Sequence, residues 1–182
     1  MNDSGPTVFT VREITVFANE FVSIRNDDVV YADGSAGTHV TISVGNVGPG
    51  VVVVPLVEGK LGLVRVYRYP LGAWQWGLPR GFAHSDEPVE TARIELAEEM
   101  GLEAELTLVG WFAPDSGVMS NRVAVVLAQA GSIVSNPSDD REVTEVAWLT
   151  PAQLQERLGE APYDDGMTMA ALGLVQAKGI LN

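Results

Sequence analysis

The sequence predicts an α/β protein in which helices cover a mixed β-sheet. Strand-forming residues dominate the first half of the chain, and the apolar run GVVVVPLV at 50–57 is typical of a strand buried on both faces. A segment at about 87–100 has helical periodicity, and two further helical segments are expected towards residue 178. Strands that precede and then alternate with helices favour layers of helix on sheet.

Residues 1–44 are expected to form a β appendage ahead of the main domain. Strand-forming residues fill three segments of this region: 8–19, 20–34 and 38–45. The polar Asn-Asp-Asp sequence at 26–28 is predicted to form a hairpin turn. The expected division is therefore an appendage at 1–44 and a main domain at 45–182.

The main domain is predicted to open with a strand pair at 50–57 and 63–69, joined by a glycine-rich turn. A Pro/Gly/Trp-rich loop is expected at 70–86, followed by the central helix, with Asp86 as its N-cap and Gly101 as its stop. The remaining predicted elements are strands near 105–113, 122–130 and 143–149 and helices near 151–158 and 166–178.

Composition narrows the classes of partner. The formal net charge is −13 and the pI is near 4.4, which argues against nucleic acid or an anionic membrane as the partner. The chain lacks cysteine, so disulfides and thiolate chemistry are excluded. Neither a signal peptide nor a membrane span is expected, and a cytoplasmic location is predicted.

The central helix concentrates like charges. Glu95, Glu98 and Glu99 fall within an arc of about 100° at helical spacing, beside the apolar residues Leu96 and Met100. Like charges three and four residues apart destabilise a helix. Two interpretations are open on the helix alone: a solvated acidic face, or oxygen ligands for Mg²⁺ or Mn²⁺.

The preceding loop favours the second interpretation. The stretch GLPRGFAHSDEPVETARIELAEEMGL at 77–102 resembles the Nudix box, with Gly81 as its opening glycine and Glu95 to Leu102 at the E-U-x-E-E-x-G-U positions, where U is aliphatic. Two residues depart from the box. Asp86 takes the first acidic position in a loop one residue short, and Ile94 replaces an arginine that could brace Glu98 from one turn away. Arg80 or an arginine of the sheet could substitute.

The resemblance reaches beyond the box to the nucleotide-sugar branch of the family, which includes ADP-ribose pyrophosphatases. Residues 51–82 are similar to the strand-turn-strand entry of that branch, including its VR-x-YR stretch with Arg65 and Arg68. The resemblance implies the Nudix fold, a mixed sheet sandwiched between helices. It also implies that the N-terminal β appendage is a dimerisation arm of a possible homodimer.

The resemblance also implies residue roles. Gly81, through its backbone carbonyl, and Glu95, Glu98 and Glu99 would bind Mg²⁺ or Mn²⁺. Glu98 and Glu99 would be catalytic, together with Glu142 of an acidic loop that also holds Asp139 and Asp140. Arg65, Arg68 and Arg80 would bind the phosphates of the substrate. Because residues 65 and 68 are an odd number apart, a regular strand would turn them to opposite faces.

The implied activity is metal-dependent hydrolysis of the pyrophosphate bond in a nucleoside diphosphate linked to another group, with ADP-ribose or a related nucleotide sugar as substrate. The alternatives are a Nudix hydrolase of nucleoside triphosphates or dinucleoside polyphosphates, and a non-catalytic module that senses a nucleotide. Trp74, Trp76 and Tyr69 could stack on a base or pack in the core. His39 and His84 have no partner pattern and are assigned no role.

Overall fold

The computed structural model describes residues 5–45, 48–133 and 143–181. The chain divides into two compact units. One comprises the described parts of Met1–Asn46 and Asp115–Asn121, and the other those of Val47–Pro114 and Arg122–Asn182. The assignment of an appendage to 1–44 and of a main domain to 45–182 stays a prediction.

The N-terminal unit is built around one long strand. Its strands are β1 (Val8–Arg12), β2 (Thr15–Ala18), β3 (Val22–Tyr31) and β4 (Ala36–Val44). Strand β4 is antiparallel to β3 along its length, so β1 and β2 share the other edge of β3, also antiparallel.

The predicted hairpin turn at 26–28 is wrong, because β3 runs through these residues without a break. The carboxylate of Asp27 is buried, accepts the backbone N–H of Ile14 at 2.9 Å and pairs with Arg25 at 3.1 Å. Asp27 is therefore a polar strand residue that accepts a hydrogen bond from the backbone between β1 and β2. In the sequence, such a residue resembles a turn residue. The turn into β4 lies four residues further on, where the Ser35 hydroxyl donates to Asp33 and lowers the pKa of that carboxyl group.

The main unit contains a mixed seven-stranded sheet. Its strands are β5 (Val51–Val57), β6 (Lys60–Arg68), β7 (Ala73–Gly77), β8 (Arg80–Gly81), β9 (Glu105–Phe112), β10 (Val123–Ala130) and β11 (Val143–Leu149). The order β11-β6-β5-β10-β9 has one parallel pair, β5 with β10. The neighbouring pairs are antiparallel.

The hairpin of β5 and β6 opens soon after its turn. The two strands pair only at residues 56–57 and 60–61, beyond which β7 pairs with β6 and β8 pairs with β5. The region 70–86, predicted as a loop, therefore contains two strands. Its prolines and glycines mark the ends of these short strands, which the irregular sequence pattern concealed.

Helices cover both faces of this sheet, and the predicted α/β class is confirmed. Helix α1 (Pro88–Met100) packs on the face that carries Val51 and Val53. Helices α2 (Pro151–Gln155) and α3 (Gly166–Ala177) pack on the face that carries Val52 and Val54. This alternation explains why β5 reads as a continuous apolar run.

Candidate active site

Helix α1 is held at both ends by backbone geometry. Its N-cap is Glu87, not Asp86 as predicted, and Pro88 occupies the first helical position, where a missing N–H costs nothing. The Glu87 side chain caps no backbone N–H among the residues described. Gly101 ends the helix with a φ of +60°, a conformation that glycine adopts without strain.

The three glutamates of α1 differ in burial. Glu95 and Glu99 lie on the buried face of the helix, beside Leu96 and Met100, with residue exposures of 8% and 6%. Glu98 is exposed. The interpretation of a purely solvated acidic face therefore does not hold for two of the three carboxylates.

Strand β8 brings backbone against these carboxylates. A Cβ added to Gly81 would lie 1.8 Å from Oε1 of Glu95, so any other residue here would displace that carboxylate. The backbone N–H of Arg80 donates to Oε2 of Glu99 at 3.2 Å. The opening glycine of the box therefore lies next to the helix glutamates, although its carbonyl as a metal ligand stays a prediction.

A histidine that the sequence analysis left without a role joins this group. Nε2 of His84 lies 3.0 Å from Oε1 of Glu95, and the backbone N–H of His84 donates to Oγ1 of the buried Thr91 at 3.2 Å. Ligand atoms of His84, Glu95 and Glu98 all lie within 4.8 Å of one another. No local signal identifies His84, because its position depends on how the loop folds back on α1.

The donor set fits a divalent cation. Carboxylate oxygens suit Mg²⁺ and Mn²⁺, and an imidazole nitrogen suits first-row transition metals. Because Gly81 has no side chain, the Glu95 carboxylate can occupy the space next to its backbone. The residues that would hold the ion are Glu95, Glu98 and His84, with Glu99 next to them on the same helix.

The side chain of Arg80 points to a different carboxylate. Its Nη1 lies 3.0 Å from Oδ1 of Asp165, which is buried and caps the N-terminus of α3. Oδ2 of Asp165 accepts the backbone N–H of Thr168 at 2.9 Å and its hydroxyl at 2.6 Å. The role of Arg80 in phosphate binding stays a prediction, and its charge is matched by Asp165 in this structure.

Arg65 and Arg68 lie on β6, and their odd spacing places them on opposite faces in a regular strand. Arg65 pairs with Glu145 of β11 and lies over the ring of Trp74, 5.1 Å from its centroid. Arg68 is half-buried. Substrate binding by either arginine stays a prediction.

The aromatic side chains that could stack on a base divide into packed and exposed ones. Trp76 stacks on Tyr163 at 6.2 Å and packs against the core, whereas Tyr69 is 87% exposed. Trp74 makes an edge contact with Tyr67. The proposed catalytic Glu142 lies outside the described residues, as do Asp139 and Asp140.

The helix with three glutamates, the glycine pressed against them and the mixed sheet beneath define a Nudix hydrolase. A family model described as the NUDIX domain matches residues 47–170, and the chain belongs to this family. It is a Nudix pyrophosphohydrolase, as the box predicts.

Two characterised relatives are similar over nearly the whole chain. The ADP compounds hydrolase NudE of Escherichia coli (strain K12) is 26% identical over 174 residues, which is 94% of this chain and 91% of the relative. The CMP-5'-(N-acetyl-N-hydroxy-3-aminopropyl)phosphonate hydrolase of Streptomyces rubellomurinus (strain ATCC 31215) is 23% identical over 172 residues, 92% of this chain and 81% of the relative.

A solved structure of an ADP compounds hydrolase has a TM-score of 0.82 to this chain at 22% identity, with 97% of each chain covered. Together with the family model, this likeness confirms the predicted Nudix fold. Within 5–45, 48–133 and 143–181, none of the helices is long and apolar enough to cross a membrane.

Proposed function

We propose that this protein hydrolyses the pyrophosphate bond of a nucleoside diphosphate linked to a second group, with ADP-ribose or a related nucleotide sugar as substrate and Mg²⁺ or Mn²⁺ as cofactor. The observation that carries the proposal is the group formed by His84, Glu95 and Glu98, whose ligand atoms lie within 4.8 Å of one another beside Gly81.

The chain supplies the framework for this reaction. Glu95 and Glu99 are held on the buried face of α1, where Arg80 donates its backbone N–H to Glu99. A bound divalent cation supplies positive charge that offsets the phosphate oxygens and favours deprotonation of water. Glu98 is exposed and is therefore the helix carboxylate that can reach substrate or water from the solvent side. Glu142 is our proposed base.

The names of the relatives support this class of substrate. One is a hydrolase of ADP compounds and the other a hydrolase of a CMP-linked phosphonate. In both names a nucleotide is part of the compound that is cleaved. Arg65, Arg68 and Arg80 are our proposed phosphate contacts, and the cation would supply the charge complementarity that a protein of net charge −13 otherwise lacks.

The proposal is tested by measuring hydrolysis of ADP-ribose, other nucleoside diphosphate sugars, nucleoside triphosphates and dinucleoside polyphosphates, with and without Mg²⁺ or Mn²⁺. We expect ADP-ribose to give AMP and ribose 5-phosphate, only in the presence of metal. In ¹⁸O-labelled water, the product that carries the label identifies the phosphorus attacked. Hydrolysis of nucleoside triphosphates and of no nucleoside diphosphate sugar would refute the proposed substrate class. Binding of every compound without cleavage would favour a sensor. The replacement of the box arginine by Ile94 is the feature of the sequence that favours this alternative.

We also propose that the N-terminal unit mediates a homodimer. Several of its large apolar side chains are exposed, among them Val11 at 68%, Phe21 at 59% and Phe17 at 50%. Exposed apolar side chains grouped in one small unit are typical of contact surfaces. Light scattering after size exclusion should give twice the chain mass of 19.4 kDa. A mass of one chain would refute it. The cytoplasmic location stays a prediction.

A further inference from the structure

The loop between β8 and α1 places His84 against the glutamates of α1. Its backbone N–H donates to Thr91, and its ring nitrogen Nε2 lies 3.0 Å from Oε1 of Glu95. Thr91, Glu95 and Glu98 follow each other at four- and three-residue steps, so they share one face of the helix. The same helix face therefore anchors the loop and offers the carboxylates that its histidine meets.

The distance between the two ligand atoms suits a shared cation. In octahedral coordination at about 2.1 Å, neighbouring ligand atoms lie about 3.0 Å apart and opposite ones about 4.2 Å apart. His84 and Glu95 match the first separation at 3.0 Å. The ligand atoms of all three residues lie within 4.8 Å of one another, a limit slightly larger than the second separation. Small side-chain adjustments suffice to bring the three atoms around one ion.

We propose that His84 is a nitrogen ligand of the metal site and makes the protein prefer Mn²⁺ and other first-row transition ions to Mg²⁺. This inference rests on the proposed metal-dependent function and adds the class of ion to it. Imidazole binds transition metals more readily than Mg²⁺, which prefers oxygen ligands and retains its water. Burial makes Glu95 a well-fixed partner, since its side chain is 10% exposed against 44% for His84.

The chain offers a matched control, because it contains two histidines. His39 lies on β4 in the N-terminal unit and is exposed, with Nδ1 3.3 Å from the backbone oxygen of Val40. Any imidazole nitrogen bound to the cation must therefore come from His84 or His39, and the variants His84→Ala and His39→Ala separate the two.

The first experiment is pulsed electron paramagnetic resonance of Mn²⁺ added to the metal-free protein. We expect modulation from a directly bound imidazole nitrogen in the wild type and in His39→Ala, and its loss in His84→Ala. Wild type without this nitrogen signal, or a signal that survives in His84→Ala, would overturn the proposal. Absence of Mn²⁺ binding would overturn it as well.

The second experiment compares affinities for Mn²⁺ and Mg²⁺ by calorimetry. Loss of even an outer-shell partner costs about 10–100-fold in metal affinity, so His84→Ala should lower Mn²⁺ affinity by at least about tenfold. Mg²⁺ affinity should fall less, and the ratio of the two should therefore drop. His84→Gln keeps a side chain that can donate to Glu95. If it retains the wild-type ratio, His84 acts only as a hydrogen-bond partner and the proposal is wrong.

The results separate this inference from the proposed function. Metal-dependent hydrolysis without a nitrogen signal leaves the function standing and refutes the ligand. A nitrogen signal without hydrolysis of any pyrophosphate supports the ligand and refutes the function.

Discussion

The segment 77–81 approaches one buried carboxylate at the start of α3 and another on α1, and the two differ in their surroundings. At its first residue, a Cβ on Gly77 would lie 3.2 Å from Oδ2 of Asp165 at the start of α3. At its last residue, Gly81 touches Glu95 of α1. Asp165 is satisfied by Arg80 and by the backbone and hydroxyl of Thr168. Glu95 belongs to a set of three carboxylates on α1 (the α1 group), with Glu98 and Glu99, that lie within five residues of one another.

This difference leads us to expect a structural role for Asp165 and a functional one for the α1 glutamates. A buried carboxylate that caps a helix and pairs with arginine stabilises the fold, and loss of one partner leaves the other unsatisfied. Like charges at three- and four-residue spacing lower helix stability, and proteins tolerate such local costs where function requires them. Substitutions near α3 should therefore reduce stability, and those in the α1 group should reduce activity.

The largest effect is expected for Glu98→Gln. Because Glu98 is exposed, the substitution should leave the fold intact, while kcat falls by about 10³-fold, or ~4 kcal/mol in the activation barrier. Thermal stability without metal should be equal or higher, since a like charge is removed. Steady-state kinetics and thermal melts measure both. Glu90→Gln is the control, because Glu90 is exposed on the same helix and pairs with Arg93.

Metal binding gives a second measurement on the same variants. Mg²⁺ or Mn²⁺ should raise the melting temperature of the wild type and of Glu90→Gln, because a ligand of the native state stabilises it by mass action. The shift should be smaller for Glu98→Gln. Equal shifts in all three proteins would exclude Glu98 from the metal site.

Asp165→Ala should have the next largest effect, this time on stability. It removes the cap of α3 and leaves Arg80 without its buried carboxylate, so the free energy of unfolding should fall by about 3 kcal/mol. Urea denaturation in metal-free buffer measures this. The neighbouring Asp164 accepts a hydrogen bond from Gln75 at 2.9 Å, and Asp164→Ala should cost only about 1 kcal/mol. Equal losses for the two variants would contradict the structural role of Asp165.

The two glycines of the segment should respond differently to alanine. In Gly81→Ala the new Cβ would overlap Glu95, at 1.8 Å from Oε1, and must displace the carboxylate. Metal affinity should fall by about 10–100-fold. In Gly77→Ala the closest atom is Oγ1 of Thr168 at 3.1 Å, and the cost should be about 1–2 kcal/mol of stability with metal affinity retained. Calorimetry and urea denaturation distinguish the two; a reversed pattern would refute the comparison.

The α1 side of this comparison was largely predictable from the sequence, and the α3 side was not. The box spacing fixes Gly81, Glu95, Glu98 and Glu99 relative to one another because they belong to one strand, loop and helix. Asp165 and Thr168 belong to a helix that is distant in the sequence. The hydrogen bond that the backbone N–H of Leu78 donates to Thr168 spans 90 positions. Such contacts depend on how α3 packs, which no local pattern encodes.

His84 shows the same limit at shorter range. It lies within the predicted box, yet its contact with Glu95 depends on the hydrogen bond that the backbone N–H of His84 donates to Oγ1 of Thr91. Strands β5, β9, β10 and β11 were predicted closely because they are long or strongly apolar, whereas β6 begins at Lys60, within the predicted turn. Strands β7 and β8 were missed because they pair only where β5 and β6 separate.

The smallest effect is expected for Ile94→Arg, which restores the arginine of the box. Ile94 is 37% exposed, so a longer, charged side chain at this position can reach solvent. An ion pair at four-residue spacing on a helix contributes about 0.2–0.5 kcal/mol, so bracing of Glu98 should raise kcat by less than about threefold. KM should not change, because positioning of a catalytic group acts on the chemical step.

The control for this variant is Ile94→Gln, which makes the same position polar without adding charge. Arg80→Ala is unsuitable, because it would also leave Asp165 without its cation. A rise in kcat for Ile94→Arg alone would show that Glu98 lacks the full bracing that the box arginine supplies. Equal kcat in both variants and the wild type would show that an added arginine does not improve the positioning of Glu98, and that the contacts of Arg80, Gly81 and His84 already fix the helix carboxylates.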